Sequence, residues 1–227
     1  MVYNVNFDIE LKKNTYPGLY IALEGIDGSG KTTQVEKLVK YFEKEGKEVF
    51  KTHEPRRDTV VGKLIHEILI ANIDTPRASL QYLFAADRAI HQEQMLLPAL
   101  KDGKVVISDR CFWSAIPYGI MDKSESDKEE NSNQLLTALS ILSMYHEFVG
   151  PDITFVLDVS VDTAAERLEH LQKKAEIYEK KEKLEKIKEG YDFLLDKFPE
   201  GLTKIDAGKS AEQVTLDILD TIKKLQK

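Results

Sequence analysis

The segment Gly25-Ile26-Asp27-Gly28-Ser29-Gly30-Lys31-Thr32 fits G-x-x-x-x-G-K-[ST], the pattern of a phosphate-binding loop. Its flanks constrain the fold further. Leu19-Tyr20-Ile21-Ala22-Leu23 before it is an apolar run of strand length. Val35, Leu38, Val39 and Phe42 after it recur at i, i+3, i+4 and i+7, one face of a helix. Strand, turn and helix start therefore stand in the order that phosphate binding requires. Glycines let several backbone N–H groups approach one phosphate, because no Cβ intervenes. The helix N-terminus adds unpaired donors and partial positive charge. Lys31 can reach outer phosphates, and the Thr32 hydroxyl, followed by Thr33, can ligate Mg²⁺.

The rest of the chain repeats the alternation. Glu48–Thr52, Val105–Ser108, Ile153–Asp158 and Thr203–Asp206 read as further short strands. Helices are expected from about Val60 to Ala71, Pro76 to Leu100, Gln134 to Phe148 and Val161 to Gln172. Two more are expected through Leu184, Ile187, Tyr191 and Leu194, and through Val214, Ile218, Ile222 and Leu225. Five strands separated by helices call for right-handed crossovers and a parallel sheet covered on both faces, an α/β three-layer sandwich. Ligands then bind beyond the strand C-termini. Three polar clusters fall there: the loop at Gly25, the turn Glu54-Pro55-Arg56-Arg57, and Asp109-Arg110.

A chain of 227 residues carrying 42% hydrophobic residues can build one large core, and residues 19–227 read as a single domain. Residues 1–18 precede the first certain element, as either an edge strand or a disordered arm. The hydrophilic stretch 122–133 reads as a mobile loop. A net charge of −7 argues against broad binding of nucleic acid or anionic membrane. No run of 18 apolar residues exists, and the first residues lack a signal-peptide layout, so a cytoplasmic location is expected. The single cysteine, Cys111, excludes an internal disulfide, and its chemistry stays open between packing and reactivity.

Asp109 ends an apolar strand, where a carboxylate can hold Mg²⁺ or merely cap a turn. Arg56, Arg57, Arg88 and Arg110 together resemble an anion site within an acidic protein. Phe84 and Arg88, at i and i+4, share a helix face; core packing and base stacking both remain open for the ring. The five histidines show no metal-ligand spacing, and His91 reads as a hydrogen-bonded structural residue.

These features resemble the thymidylate kinase family of P-loop nucleoside monophosphate kinases. The resemblance rests on Leu23 to Gln34, Glu54-Pro55, Leu83-Phe84-Ala85-Ala86-Asp87-Arg88-Ala89, Asp109-Arg110 with Ser114 and Tyr118, Leu157-Asp158-Val159, Glu166-Arg167 and Ile205-Asp206-Ala207. It implies transfer of the ATP γ-phosphoryl group to dTMP with Mg²⁺ on Thr32 and Asp109, and a homodimer. By the same likeness Phe84 stacks on thymine, Arg88 contacts base or phosphate, Tyr118 packs near the sugar, and Glu54, Pro55, Ser114 and Ala115 also belong to the dTMP site. Arg110 with Arg57 or Arg56 holds the acceptor phosphate, Asp27 meets the deoxyribose, and adenine lies between Arg167 and Ala207. A lid is expected around 170–180, with Lys173 and Lys174 as its cations. Several positions depart from the family pattern: Gly28 stands where one type carries an arginine, Leu171 and Ile177 where the other places its lid arginines. Cys111 and Gly119 replace a usual tyrosine and glutamine. Two other readings stay open: a kinase for a different nucleoside monophosphate or deoxynucleoside, and a nucleotide-binding regulatory module.

Overall fold

The computed structural model describes residues 9–126, 134–170 and 176–225. Strands β1 (Leu19–Glu24), β2 (Val49–His53), β3 (Val105–Asp109), β4 (Ile153–Asp158) and β5 (Leu202–Asp206) form one sheet in the order β2-β3-β1-β4-β5. Every pairing is parallel. The central strand β1 is sealed on both faces: Ile21, Ala22 and Leu23 expose nothing. Such continuous apolar runs are what a sheet covered by helices demands. The connection after β1 runs to β2 on one side and that after β3 crosses to β4 on the other, and this switch between β1 and β3 opens a crevice at the strand C-termini.

Helices α1 (Lys31–Lys44), α2 (Val60–Leu69), α3 (Arg77–His91), α4 (Leu97–Lys101), α5 (Ala115–Ser126), α6 (Gln134–Leu142), α7 (Val161–Glu169), α8 (Lys181–Lys197) and α9 (Ala211–Leu225) complete the layers. Helix α1 presents Val35, Leu38 and Phe42 to the core, the stripe that the sequence spacing predicts. Helix α2 starts where the Thr59 hydroxyl accepts from the Gly62 N–H, a side-chain cap for an otherwise unpaired donor. Helix α8 lies so close to α5 that a Cβ on Gly190 would stand 2.7 Å from Pro117 Cα. That approach brings Tyr191 against the site described below.

Several boundaries differ from the sequence expectation. The segment 76–100 is not one α-helix: a π turn at Gln92–Leu96 separates α3 from α4. Pro98 lacks an N–H and crowds the carbonyl four residues back, which a regular helix cannot absorb. The helix expected to reach Phe148 stops at Leu142 and continues as turns. The polar stretch 122–133 does not begin as a loop: α5 runs through Ser126, and the Asp122 carboxylate is buried, accepting from the Tyr178 hydroxyl at 2.7 Å. A buried polar group is tolerated when it is paired. The remainder of that stretch, 127–133, lies outside the described residues. Among the described residues before β1, 9–18, Lys12 makes an isolated parallel bridge to Val149; residues 1–8 lie outside the described residues.

Replacing Gly190 by Ala forces a methyl into backbone atoms of α5. We expect a loss of about 1–3 kcal/mol, the cost of overpacking. A thermal melt should show the midpoint falling by several degrees; an unchanged midpoint would mean that α5 and α8 can separate freely.

Candidate active site

Lys31 sits almost fully buried at the start of α1 and donates to the carbonyls of Gly25 at 3.0 Å and Ile26 at 2.9 Å. Burial lowers its pKa to about 8, the nearby Arg110 charge adds to that, and Asp27 and Asp109 oppose both. Gly28 has φ of +82°, and a Cβ there would meet the Ala164 carbonyl oxygen at 2.3 Å. No side chain fits that position. The missing loop arginine therefore has a structural cause: α7 packs directly on the turn. The buried Ser29 hydroxyl has no hydrogen-bond partner among the described residues. Thr32 donates to Asp109 Oδ2 at 2.6 Å, so hydroxyl and carboxylate meet at the loop's mouth, with Thr33 exposed beside them. Arg167 spans from Gly28 O and Ser29 O to Ala207 O, at 3.3, 3.5 and 3.2 Å.

Beside the loop stands a buried ionic cluster. Glu24, fully buried, accepts from the Cys111 and Ser114 backbone N–H groups at 2.9 and 3.1 Å through Oε1. Its Oε2 accepts from the Tyr191 hydroxyl at 2.7 Å and the Ser114 hydroxyl at 2.5 Å. Arg110 faces this carboxylate at 3.7 Å and Asp27 Oδ1 at 2.5 Å, and donates to Tyr118 at 2.8 Å. Burial opposes the charge on Arg110, but Tyr118, Asp27, Tyr191 and Glu24 outweigh it and hold its pKa well above normal. Its backbone is left-handed, φ 75°, fixed by its N–H donating to Leu23 O at 2.8 Å. A non-glycine residue held there costs about 1–3 kcal/mol, a strain found often where side-chain direction matters. Burial pushes the Cys111 thiol well up, so packing, not reactivity, describes it.

A second cluster closes the far end. Arg88 donates to Glu54 Oε2 at 2.7 Å and to the Tyr145 hydroxyl at 3.0 Å, and its guanidinium lies 5.4 Å from the Phe84 ring centre. Between the clusters lies an open cleft, concave and lined by apolar rings with a few convergent polar groups, as small-molecule sites are. Asp27, Glu54, Pro55, Phe84, Arg88 and Arg110 line it, with Ser114, Ala115 and Tyr118 along one wall. The Glu54–Pro55 bond at its edge is cis.

Not every expected residue reaches the cleft. Arg56 does not line it: the side chain turns to Asp58 and Met95, and its N–H donates to Asp87 Oδ2 at 2.8 Å. Arg57 is two-thirds exposed and faces Glu176 at 4.0 Å. Lys173 and Lys174 lie outside the described residues. Sequence reasoning missed Leu69, Glu176 and Tyr178, which also line the cleft. Tyr178 packs edge-on against Tyr118 at 5.0 Å. It also missed Glu24, Tyr145 and Tyr191; Glu24, an acid ending an apolar strand directly before the loop, was the available signal.

Comparison with known proteins agrees with this layout. A family model described as thymidylate kinase matches residues 23–218. A probable thymidylate kinase of Thermococcus gammatolerans is 35% identical over 213 residues, covering 90% of this chain and 96% of that protein. The chain belongs to the thymidylate kinase family. A thymidylate kinase of Bifidobacterium longum subsp. infantis is 36% identical, covering 87% of this chain and 82% of its own length. Among solved structures, the thymidylate kinase from Candida albicans is similar with a TM-score of 0.76 and 26% identity, over 92% of both chains. The α/β P-loop kinase fold expected from the strand–loop–helix order is thus the fold of the family.

Burial alone would raise the Glu54 carboxyl, but hydrogen bonds from His91 and Arg88 and the Arg88 charge hold it below its ordinary 4.5. A carboxyl depressed on folding adds stability above its unfolded pKa and loses it as pH falls through the folded value. Urea unfolding between about pH 7 and about pH 3 should show the natural chain losing stability below about pH 4.5 more steeply than Glu54→Gln. Equal slopes would mean Glu54 is not ionised in the fold.

Proposed function

We propose that the chain moves the γ-phosphoryl group of ATP onto the phosphate of dTMP, giving ADP and dTDP. The observation that carries this reading is the cleft itself, with an aromatic–arginine pair at one end and Arg110 beside a phosphate loop at the other. Relatives named thymidylate kinase over nearly the whole chain support the choice of acceptor. Phosphoryl transfer asks mainly for alignment and charge neutralisation, because the attacking group is already an anionic oxygen. No general base is needed.

In this reading the backbone of Gly25 to Gly30 with Lys31 cradles the donor phosphates, and Arg167 and Ala207 flank the adenine. Phe84 stacks on the pyrimidine, Arg88 meets its edge, and Tyr118 with Ser114 and Ala115 borders the sugar. Asp27 receives the deoxyribose hydroxyl. Arg110 holds the acceptor phosphate, and Arg57, exposed and outside the cleft lining, would have to swing inward to supplement it. Lys173 and Lys174 would close over the transferring group and exclude water. Thr32 and Asp109 are hard oxygen donors 2.6 Å apart at the loop, a set that suits Mg²⁺ completed by phosphate oxygens. Bound there, Mg²⁺ would neutralise charge on the outer phosphates.

We further propose a homodimer. Val60 is 85% exposed on α2 and Tyr82 71% exposed on the neighbouring α3, and apolar side chains so placed suit a second copy of this chain. Light scattering should give twice the chain mass, and Tyr82→Glu should shift it toward one; a natural chain of single mass refutes the dimer.

Coupled ADP release with ATP-Mg and a panel of dTMP, dUMP, UMP, dCMP and thymidine tests the reaction, with dTMP expected to give the highest kcat/KM. Lys31→Ala should lower turnover by about 10²-fold or more, the scale of losing one charge-stabilising donor. It is a cleaner probe than Arg110→Ala, which also strips the counter-charge from buried Glu24. Near-full activity in Lys31→Ala would refute the mechanism.

A further inference from the structure

A line of buried hydrogen bonds runs from β2 into the acceptor cleft. Thr52 Oγ1 lies 2.7 Å from His91 Nε2, and His91 Nδ1 lies 3.0 Å from Glu54 Oε1. Glu54 Oε2 accepts from Arg88 Nε at 2.7 Å. Thr52, Glu54, Arg88 and His91 are all buried. Glu54 and Arg88 line the cleft; Thr52 and His91 do not. The two buried residues behind the wall therefore cannot touch a ligand, yet they are bonded to the groups that can.

The arrangement has a direction. A carboxylate only accepts, so His91 carries a hydrogen on Nδ1 and donates it to Glu54, while Nε2 pairs with the Thr52 hydroxyl. Held by Arg88 alone, the Glu54 carboxylate could turn about its last torsion, which is broad and soft. With His91 on the second oxygen, its plane is fixed. The guanidinium is a rigid planar fork, so fixing Nε–H also fixes the other donors. Arg88 Nη1 meets Tyr145, while Nη2 makes no hydrogen bond among the described residues. Phe84, Arg88 and His91 stand at i, i+4 and i+7 on α3, so one helix face carries the stacking ring, the cation beside it and the group behind it.

We infer that His91 is a positioning residue for the acceptor nucleotide: through Glu54 it holds the Arg88 fork against the edge of a pyrimidine lying on Phe84. The inference rests on the proposed dTMP kinase reading and adds a specificity determinant to it. Its signature is a loss of acceptor affinity that leaves ATP alone, since His91 lies on the β2 side of the sheet, away from the phosphate loop and Arg167. Misplacing a contact by about 1 Å can cost as much as 10²-fold, so a tenfold effect is in range.

The test is steady-state kinetics on the full chain with His91→Ala, His91→Asn and Thr52→Val, varying dTMP at saturating ATP and the reverse. For His91→Ala, KM for dTMP should rise about tenfold while KM for ATP stays within about twofold. His91→Asn should recover most of the loss, because its amide N–H can stand near the Nδ1 position and donate to Glu54. Thr52→Val should show a smaller rise in the same constant. An unchanged KM for dTMP in His91→Ala overturns the inference, as does a parallel worsening of both KM values and kcat that His91→Asn fails to repair. Should His91→Ala not fold, Thr52→Val decides, and a natural KM for dTMP there overturns it. A natural chain that releases no ADP with any pyrimidine monophosphate overturns this inference and the proposed function together; natural turnover with unaffected variants overturns the inference alone.

Discussion

The site depends on the Glu24 carboxylate more than on any other group. Glu24 ends the central strand, one residue before the phosphate loop, and exposes no surface. Backbone donors from Cys111 and Ser114 and hydroxyl donors from Ser114 and Tyr191 converge on its two oxygens. One buried anion thereby ties β1 to the turn after β3 and to α8. An ionised carboxylate is tolerable in a core only with such a set of partners. Take it away and two backbone N–H groups lose their acceptor inside the protein, at about 1–3 kcal/mol each. Arg110, whose left-handed backbone points it back toward Glu24 and Asp27, would lose one of the two anions that justify its place.

The sheet order explains how a second ionic cluster can sit opposite the first. Strands β2, β3 and β1 are neighbours, so their C-terminal turns deliver Glu54, Asp109-Arg110 and the phosphate loop side by side. Helix α3 then lays Arg88 and Phe84 against Glu54. Each cluster pairs its cation with acids before any ligand arrives, which keeps Arg88 buried and Arg110 mostly enclosed in an acidic protein. The cleft lies between two preset forks, and preset polar groups act without the cost of rearrangement.

Much of this could be read from sequence because its signals are local. The loop, its flanking strand and helix, and the strand-terminal Asp109-Arg110 are contiguous or periodic. The members of the clusters that escaped notice are those joined over long distances: Tyr191 reaches Glu24 across 167 positions and Tyr145 reaches Arg88 across 57. A tyrosine in an amphipathic helix looks the same whether its hydroxyl meets water or a buried carboxylate. Arg56 misled for the complementary reason. Its neighbours in sequence are cationic and polar, but Asp58, two residues on, draws the side chain away from the cleft. The interrupted α3–α4 helix was foreshadowed by Pro98, whose effect falls several residues upstream of itself.

The absent arginine in the loop follows from packing, and it shifts the burden of charge elsewhere. With Ala164 of α7 lying 2.3 Å from where a Gly28 side chain would begin, a cation cannot project from the loop at that point. Yet the same helix supplies one a turn further on. Arg167 leans across Gly28 and Ser29 and is held by three carbonyls, with no carboxylate partner among the described residues. Carbonyl dipoles orient a guanidinium without neutralising it, so its positive charge remains available at the loop. Helix α7 thus excludes one cation from the loop and supplies another beside it. Because both effects come from the same surface of one helix, moving α7 outward to admit a larger residue at position 28 would also withdraw Arg167.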